Sequence, residues 1–222
     1  MGLALFDLDQ TLLSGDSDLL WCHFLVERGV LPKRYRERAQ AIARRYVAGT
    51  VSPPEYCGFY ASLTAGCAVA ELDALRTSFF EEIVRPRIPA DTRTLLQEHR
   101  ARGDHLLITT ATNRLVSEFT ARDLGVDDYL CTEMQVAEGR LTGGVDGLAN
   151  MGTGKLLRLR TWLAAHGHDE SELRRAVYYS DSINDLALLS AVGRPVVVDP
   201  DARLEATALR KRWPLMRMRR ST

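Results

Sequence analysis

Carboxylate, hydroxyl, amide and ammonium side chains follow short apolar segments at several separate places in this sequence. The first apolar segment is followed by Asp7-Leu-Asp9, which holds two carboxylates two residues apart. On its own, such a pair is typical of a turn or a helix cap. The same kinds of side chain recur further along the chain, and the full set is Asp7, Asp9, Thr110, Lys155, Asp181, Asn184 and Asp185.

If these residues meet in one cleft, four carboxylates share it. Such a group repels itself strongly at neutral pH unless a cation neutralises it, which favours a hard divalent ion with oxygen ligands. Mg²⁺ is the predicted cofactor. A lysine and a hydroxyl beside that ion suit a phosphate group, which carries about two negative charges and needs hydrogen-bond donors.

Other ion-binding and phosphate-binding motifs do not fit. An EF-hand loop needs glycine and glutamate where Leu12 and Asp18 stand. A P-loop at Gly152-Thr-Gly-Lys155 lacks its first glycine, replaced by Ala149, and its hydroxyl residue, replaced by Leu156. The four cysteines and five histidines show no metal-ligand spacing, which argues against a zinc site and indicates buried, reduced thiols.

Four apolar runs predict strands, with helical patterns between them. This alternation predicts an α/β fold with a parallel sheet covered on both faces, whose strand ends bring the polar set together. One helix is expected to begin at an Asp91 cap, and one runs from Asn113 to Gly125. Gly139 to Gly147 predicts a hairpin or an irregular excursion. The strands are expected at Leu3 to Phe6, His105 to Thr110, Ala176 to Ser180 and Pro195 to Val198, and two more helices at Lys155 to His166 and Asn184 to Val192.

Residues 14–86 contain no strand-like run, and their apolar spacing is helical. We predict an all-helical cap domain over 14–86, inserted after the first strand of a core domain formed by 1–13 and 87–222. An insert at this point lies over the carboxyl end of the first strand, where open α/β sheets bind ligands.

The order of these parts resembles the haloacid dehalogenase superfamily of phosphatases, along nearly the whole chain. The helical insert and the run from Tyr178 to Pro195 resemble its phosphoserine-phosphatase-like branch. Ser180 stands where a glycine is usual, and Thr110 where a serine is usual. The resemblance implies a Rossmann-like, three-layer core with a parallel sheet, and a Mg²⁺-dependent phosphatase that acts on a small phosphomonoester.

The resemblance also implies a role for each residue. Asp7 is similar to the nucleophile that becomes an aspartyl-phosphate, and Asp9 to the general acid that then activates water. The metal ligands correspond to Asp7, the main-chain carbonyl of Asp9 and Asp181, while Asp185 holds the outer shell or orients Lys155. Lys155 supports the phosphate charge. Thr110 and Asn184 are expected to bind phosphate oxygens, with Thr109 as the alternative to Thr110.

Asp16 stands where phosphoserine phosphatases carry a glutamate that binds the substrate ammonium group. A helix N-cap is the equally supported alternative. The arginine that binds the substrate carboxylate has no clear counterpart, although Arg44 and Arg45 lie in the same insert. Histidinol phosphate, with an amine and no carboxylate, therefore fits slightly better than phosphoserine.

Two other functions use the same residues. A phosphotransferase or mutase would pass the phosphoryl group to another alcohol. A non-catalytic phosphate-sensing module, similar to a receiver domain, also combines acids, threonine and lysine. Receivers are shorter and lack the helical insert, and Asp9 beside Asp7 makes a long-lived phosphoaspartate the less favoured outcome.

Composition narrows the choice of partners. The 222 residues hold 29 basic and 29 acidic side chains, so binding to nucleic acid through bulk charge is disfavoured. No apolar run reaches the roughly 20 residues of a membrane span, and we expect a cytoplasmic protein. The basic tail from Arg210 to Thr222 is expected to be solvated and partly disordered, with contact to RNA or acidic lipid as the minority alternative.

Overall fold

The computed structural model describes residues 2–219 and contains a six-stranded, wholly parallel sheet. The strands are β1 (Leu3–Phe6), β2 (His105–Asn113), β3 (Asp128–Thr132), β4 (Met134–Ala137), β5 (Arg140–Val145), β6 (Val177–Ser180), β7 (Arg194–Val198) and β8 (Leu215–Met216). The strand order is β3-β2-β1-β6-β7-β8, and β4 and β5 form a separate antiparallel pair.

Helices precede or follow each strand of the large sheet, which confirms the predicted α/β class. The helices are α1 (Ser17–Glu27), α2 (Arg34–Val47), α3 (Pro53–Ser62), α4 (Val69–Phe79), α5 (Ala90–Ala101), α6 (Arg114–Leu124), α7 (Thr153–Ala165), α8 (Leu186–Ala191) and α9 (Ala202–Lys211). A π-helical turn (Phe80–Val84) and a 3₁₀ turn (Arg85–Arg87) follow α4. Another 3₁₀ turn, Ile183–Asp185, precedes α8.

The strand register brings the predicted chemical residues to one edge of the sheet. Strand β1 lies in the centre, and Phe6 pairs with Ile108 of β2 and with Tyr179 of β6. Strands β1 and β6 therefore end side by side, and β2 continues past the same edge to Asn113. Asp7 follows Phe6 directly, and its N–H donates to the carbonyl of Tyr179 at 2.9 Å.

All four predicted strands are present in the large sheet, which also contains two strands that were not predicted. The missed strands β3 and β8 are the two edges of the sheet. Edge strands are short and half-solvated, so their apolar signal is weak. A hairpin was expected at Gly139 to Gly147, and the structure has one that begins earlier, with β4 before Gly139 and β5 after it. Its turn residues Glu138 and Gly139 both have positive φ, as a tight type I′ turn requires.

The helix boundaries differ from the predicted ones at three places, since α7 begins at Thr153 instead of Lys155, α8 begins at Leu186 instead of Asn184, and α5 begins before Asp91. Helix α6 begins after Asn113 and ends at Gly125, which is left-handed at φ 64°. The predicted Asp91 cap is wrong, because α5 begins one residue earlier, after Pro89. Pro89 is the N-cap residue, and the Asp91 carboxylate instead accepts hydrogen bonds from Arg219.

Residues 210–219 contain the end of α9 and strand β8, where a solvated and partly disordered tail was expected. Strand β8 pairs with β7, and Arg217 contacts Glu205 at 2.7 Å. Arg220, part of the predicted basic tail, lies outside the described residues. Across residues 2–219, no helix has the length and apolar character needed to cross a bilayer.

Residues 17–87 fold almost entirely as helices, and the apolar side chains of these helices pack into the same hydrophobic core as side chains of the sheet. Trp21, Phe24 and Phe79 form an aromatic cluster, with Trp21 and Phe79 ring centroids 5.0 Å apart. Helix α3 contacts β2 and β5, and α1 contacts α6. These contacts hold the helical segment over the carboxyl edge of the sheet.

Two glycine-to-alanine variants test the close backbone approach where β7 begins. A Cβ on Gly193 would lie 1.7 Å from the Arg174 carbonyl oxygen, so the backbone must shift. A Cβ on Gly58, within α3, would meet nothing within 4 Å. We expect Gly193→Ala to lower the free energy of unfolding by at least about 2 kcal/mol and Gly58→Ala to raise it by about 0.5–1 kcal/mol. Urea unfolding measures both, and equal effects would contradict this packing.

Candidate active site

A buried lysine joins two of the predicted carboxylates. The Lys155 ammonium lies 2.6 Å from Asp7 Oδ1 and 2.7 Å from Asp185 Oδ2, and its side chain is 1% exposed. Helix α7 positions this side chain, and close packing requires a glycine at the position before Lys155. A Cβ on Gly154 would lie 2.2 Å from the Ala149 carbonyl oxygen, so only glycine fits there.

Asp185 contacts Lys155 and is itself held by two hydroxyl donors that were not predicted from the sequence. Its Oδ2 accepts hydrogen bonds from the Tyr178 hydroxyl at 2.5 Å and the Ser180 hydroxyl at 2.8 Å, besides Lys155. Ser180 therefore replaces the usual glycine with a donor. Oδ1 of Asp185 is buried and has no hydrogen-bond partner among the described residues.

Both oxygens of the Asp9 carboxylate are bound. The N–H of Ser17, the first residue of α1, donates to Oδ1 at 2.8 Å. The Thr112 hydroxyl on β2 donates to Oδ2 at 2.5 Å. The Asp9 carboxylate is thus held between the end of β2 and the start of the helical segment.

Asp181 follows β6 and lines the same cavity as Asp7 and Asp9. The Thr11 hydroxyl donates to Asp181 Oδ1 at 3.0 Å, which links the loops after β1 and β6. The spacing of the Asp7-Leu-Asp9-Gln-Thr11 segment thus provides a donor for a carboxylate 170 residues away.

The two neighbouring threonines of β2 have different surroundings. Thr110 lines the cavity, and its hydroxyl accepts a hydrogen bond from the Thr112 N–H at 3.2 Å. The Thr109 hydroxyl instead accepts from the side-chain amide of Asn150 at 3.0 Å. Asn150 also donates to the Thr110 and Leu130 carbonyls, so Thr109 belongs to the packing around this amide.

Asn184 lies beside the site, but its side chain is bound elsewhere. Its amide donates to the main-chain carbonyl of Tyr46, in the last turn of α2, at 3.1 Å. Arg203 likewise donates to the Ala48 carbonyl at 2.8 Å. The C-terminal end of α2 is therefore fastened to the sheet side of the cleft by two side chains.

The cavity has a volume of about 430 Å³ and is lined from both sides. The helical segment contributes Asp16, Arg44, Tyr46 and Tyr56, while Arg45 is paired with Glu55 on the surface. Asp16 fulfils the helix-cap prediction, since its Oδ1 accepts from the Leu19 N–H at 2.9 Å. It lines the cavity at the same time.

Burial and mutual repulsion raise the pKa of the clustered carboxyls. Burial raises the pKa of Asp7 to about 7 against the opposing attraction of Lys155. Burial and nearby Asp16 raise the pKa of Asp9 to about 6, while the Ser17 and Thr112 donors lower it. Burial, Asp7 and Asp185 place the pKa of Asp181 well above its ordinary value. The raised pKa values show that these carboxyls repel one another when ionised, and that Lys155 offsets only part of this repulsion.

The donor set fits a hard divalent cation. The candidates are the carboxylates of Asp7 and Asp181 with the Asp9 carbonyl, and the unpartnered Asp185 Oδ1 is a further buried oxygen. No group of three or more His, Cys, Asp or Glu side chains within residues 2–219 is arranged to hold a metal by itself. A cation here would therefore need the main-chain carbonyl and oxygens from water or substrate as well.

Comparison with known sequences identifies related enzymes. The family model described as haloacid dehalogenase-like hydrolase matches residues 4–190. A histidinol-phosphatase of Neisseria meningitidis is 33% identical over 216 residues, which cover 96% of this chain and 97% of the relative. A phosphoserine phosphatase of Mycobacterium tuberculosis is 32% identical over 218 residues, covering 96% of this chain and 69% of the relative.

Solved structures share the fold. A Bordetella pertussis protein of unknown function superimposes with a TM-score of 0.90 at 34% identity, covering 96% of this chain and 97% of that one. A phospho-aspartyl intermediate analogue of phosphoserine phosphatase superimposes with a TM-score of 0.72 at 16% identity, covering 99% and 94%. The second likeness concerns the fold alone.

Proposed function

This chain belongs to the haloacid dehalogenase-like hydrolase family and is a phosphatase, and we propose that it is a Mg²⁺-dependent enzyme that hydrolyses a small phosphomonoester through an aspartyl-phosphate on Asp7. The observation that carries the proposal is the Asp7 carboxylate beside a buried ammonium, in a cavity that also contains the Asp9 carboxyl. In this proposal residues 14–86 act as the cap that supplies the substrate-facing wall.

The proposed reaction has two steps. An Asp7 oxygen attacks phosphorus, the bond from phosphorus to the substrate oxygen breaks, and Asp9 gives its proton to that oxygen. Water then attacks the aspartyl-phosphate, Asp9 takes the water proton, and the bond from phosphorus to Asp7 breaks to release inorganic phosphate. Dividing one difficult displacement into two is covalent catalysis.

Charge is the main obstacle, because an anionic nucleophile must approach an anionic phosphate. Bound Mg²⁺ would supply positive charge to the phosphate oxygens and to the Asp7 carboxylate. Asp7, the Asp9 carbonyl and Asp181 would hold it, and Asp185 would act from the outer shell. The Lys155 ammonium offsets part of the Asp7 charge, and its contact with Asp185 fixes the direction of the Lys155 side chain.

Phosphate binding is assigned to Thr110, Lys155 and Asn184. Thr110 lines the cavity next to Asp7, which favours it over Thr109. The Asn184 amide would have to leave the Tyr46 carbonyl, or share its second N–H, to reach a phosphate oxygen.

The proposed substrate carries an amine. Asp16 is a carboxylate on the cavity wall, and the Neisseria meningitidis relative that matches over 97% of its length is named a histidinol-phosphatase. Histidinol phosphate is therefore our first candidate. Phosphoserine is the second, because Arg44 lines the same cavity, forms no ion pair with a described carboxylate, and could pair with a substrate carboxylate.

The two alternative functions predict different products. A phosphotransferase would transfer the phosphoryl group to an added alcohol, and product analysis with such an acceptor distinguishes it from hydrolysis. A sensing module would accumulate a stable phosphoprotein. The position of Asp9 in the same cavity as Asp7 favours turnover over accumulation.

The nucleophile and metal can be tested together. We expect Asp7→Asn to lower phosphate release from p-nitrophenyl phosphate at least about a thousandfold, because the variant lacks the attacking carboxylate. Removal of divalent cations with a chelator should abolish activity in the wild type, and added Mg²⁺ should restore it. Colorimetric phosphate assays measure both. Full activity of Asp7→Asn, or activity unaffected by the chelator, would contradict the proposal.

The amine contact can be tested at Asp16. Asparagine caps a helix as well as aspartate does, so Asp16→Asn should preserve α1 while removing the negative charge. We expect kcat/KM for histidinol phosphate to fall about tenfold or more, and kcat/KM for amine-free glycerol phosphate to change less than about threefold. Steady-state kinetics measures both. An equal loss for the two substrates would rule out an amine contact at this residue.

A further inference from the structure

We propose that Thr112 is a positioning residue for the general acid: its hydroxyl holds the Asp9 carboxyl in line with the leaving oxygen. The inference rests on the proposed function, because it assumes that Asp9 donates a proton to the leaving group. It adds a residue that the sequence pattern did not single out.

The contact is short and buried. Thr112 is 1% exposed, and its Oγ1 lies 2.5 Å from Asp9 Oδ2. The Ser17 N–H holds the other oxygen of the same carboxylate at 2.8 Å. Two donors from different elements therefore fix the plane of the Asp9 carboxylate, whereas one donor would leave it free to rotate.

The surrounding groups fix the direction of the hydrogen bond. A threonine hydroxyl has one proton, and a carboxylate can only accept, so Thr112 donates to Asp9. Ser17 Oγ, at 3.3 Å from Thr112 Oγ1, then donates to Thr112. The Thr112 N–H donates to Thr110 Oγ1 at 3.2 Å, so the backbone that carries this hydroxyl is tied to the candidate phosphate-binding residue.

The hydrogen bond from Thr112 to Asp9 acts in the first step, when the leaving group departs. When the Asp7 oxygen bonds to phosphorus and the bond to the leaving oxygen breaks, the Asp9 proton moves to that oxygen and leaves a carboxylate behind. The Thr112 hydroxyl stabilises this carboxylate and keeps it aimed at the leaving oxygen. The rate gained from this proton transfer is large for an alkoxide leaving group, and small for a nitrophenolate, which leaves without a proton.

The test compares Thr112→Val with the wild type on two substrates. Since kcat/KM covers the steps up to formation of the aspartyl-phosphate, it reports the proton transfer of the first step. We expect kcat/KM to fall about tenfold or more for an alkyl phosphate such as histidinol or glycerol phosphate, and less than about twofold for p-nitrophenyl phosphate.

Two control variants separate the hydroxyl from a change in packing. Thr112→Ser keeps the donor and should restore most of the lost activity towards the alkyl phosphate. Thr207→Val makes the same substitution in α9, where the hydroxyl donates to the Arg203 carbonyl at 3.0 Å. It should leave the ratio of the two kcat/KM values unchanged.

Equal losses for the two substrates, or no loss for the alkyl phosphate, would overturn the assignment. A crystal structure of Thr112→Val gives a readout independent of activity: we expect the Asp9 carboxylate to turn away from its wild-type position. An Asp9 that remains in place would also overturn it. A wild-type enzyme that hydrolyses neither substrate would instead contradict the proposed function.

Discussion

The arrangement of the site depends on one buried cation held between two carboxylates. Lys155 contacts both Asp7 and Asp185, which come from loops after different strands and cannot be buried together without it. A buried ion pair is stable only if its remaining hydrogen bonds are satisfied. Tyr178 and Ser180 donate to Oδ2 of Asp185, the oxygen that contacts Lys155, so the nucleophile candidate is oriented by a chain of contacts that begins on β6.

A second consequence is that ionised carboxylates are disfavoured in this cleft. Burial raises the pKa of Asp7, Asp9 and Asp181, and Lys155 is already shared by two carboxylates. In the proposed function, a divalent cation would favour the ionised carboxylates and would bring a phosphate to Asp7. The helical segment adds Asp16 and Arg44 to the lining of the same cavity.

Much of the fold and the first set of site residues could be predicted from the sequence. Apolar runs that end in Asp7, Thr110 or Asp181 are informative because parallel strands end at one edge. The sequence could not reveal partners whose contacts depend on tertiary structure. Thr112 contacts Asp9 from a strand 103 residues away, and Tyr178 resembles an ordinary apolar strand residue until its hydroxyl meets Asp185. The edge strands β3 and β8 were not predicted, because their sequences show little apolar periodicity.

The measurement that tests the central ion pair most directly is the free energy of unfolding of Lys155→Met, compared with Lys33→Met on the surface. Removing the buried ammonium leaves Asp7 and Asp185 without their cation. The account predicts a loss of about 3–5 kcal/mol for Lys155→Met and a change within about 0.5 kcal/mol for Lys33→Met, both by urea unfolding in the same buffer. Equal stabilities of the two variants would contradict it.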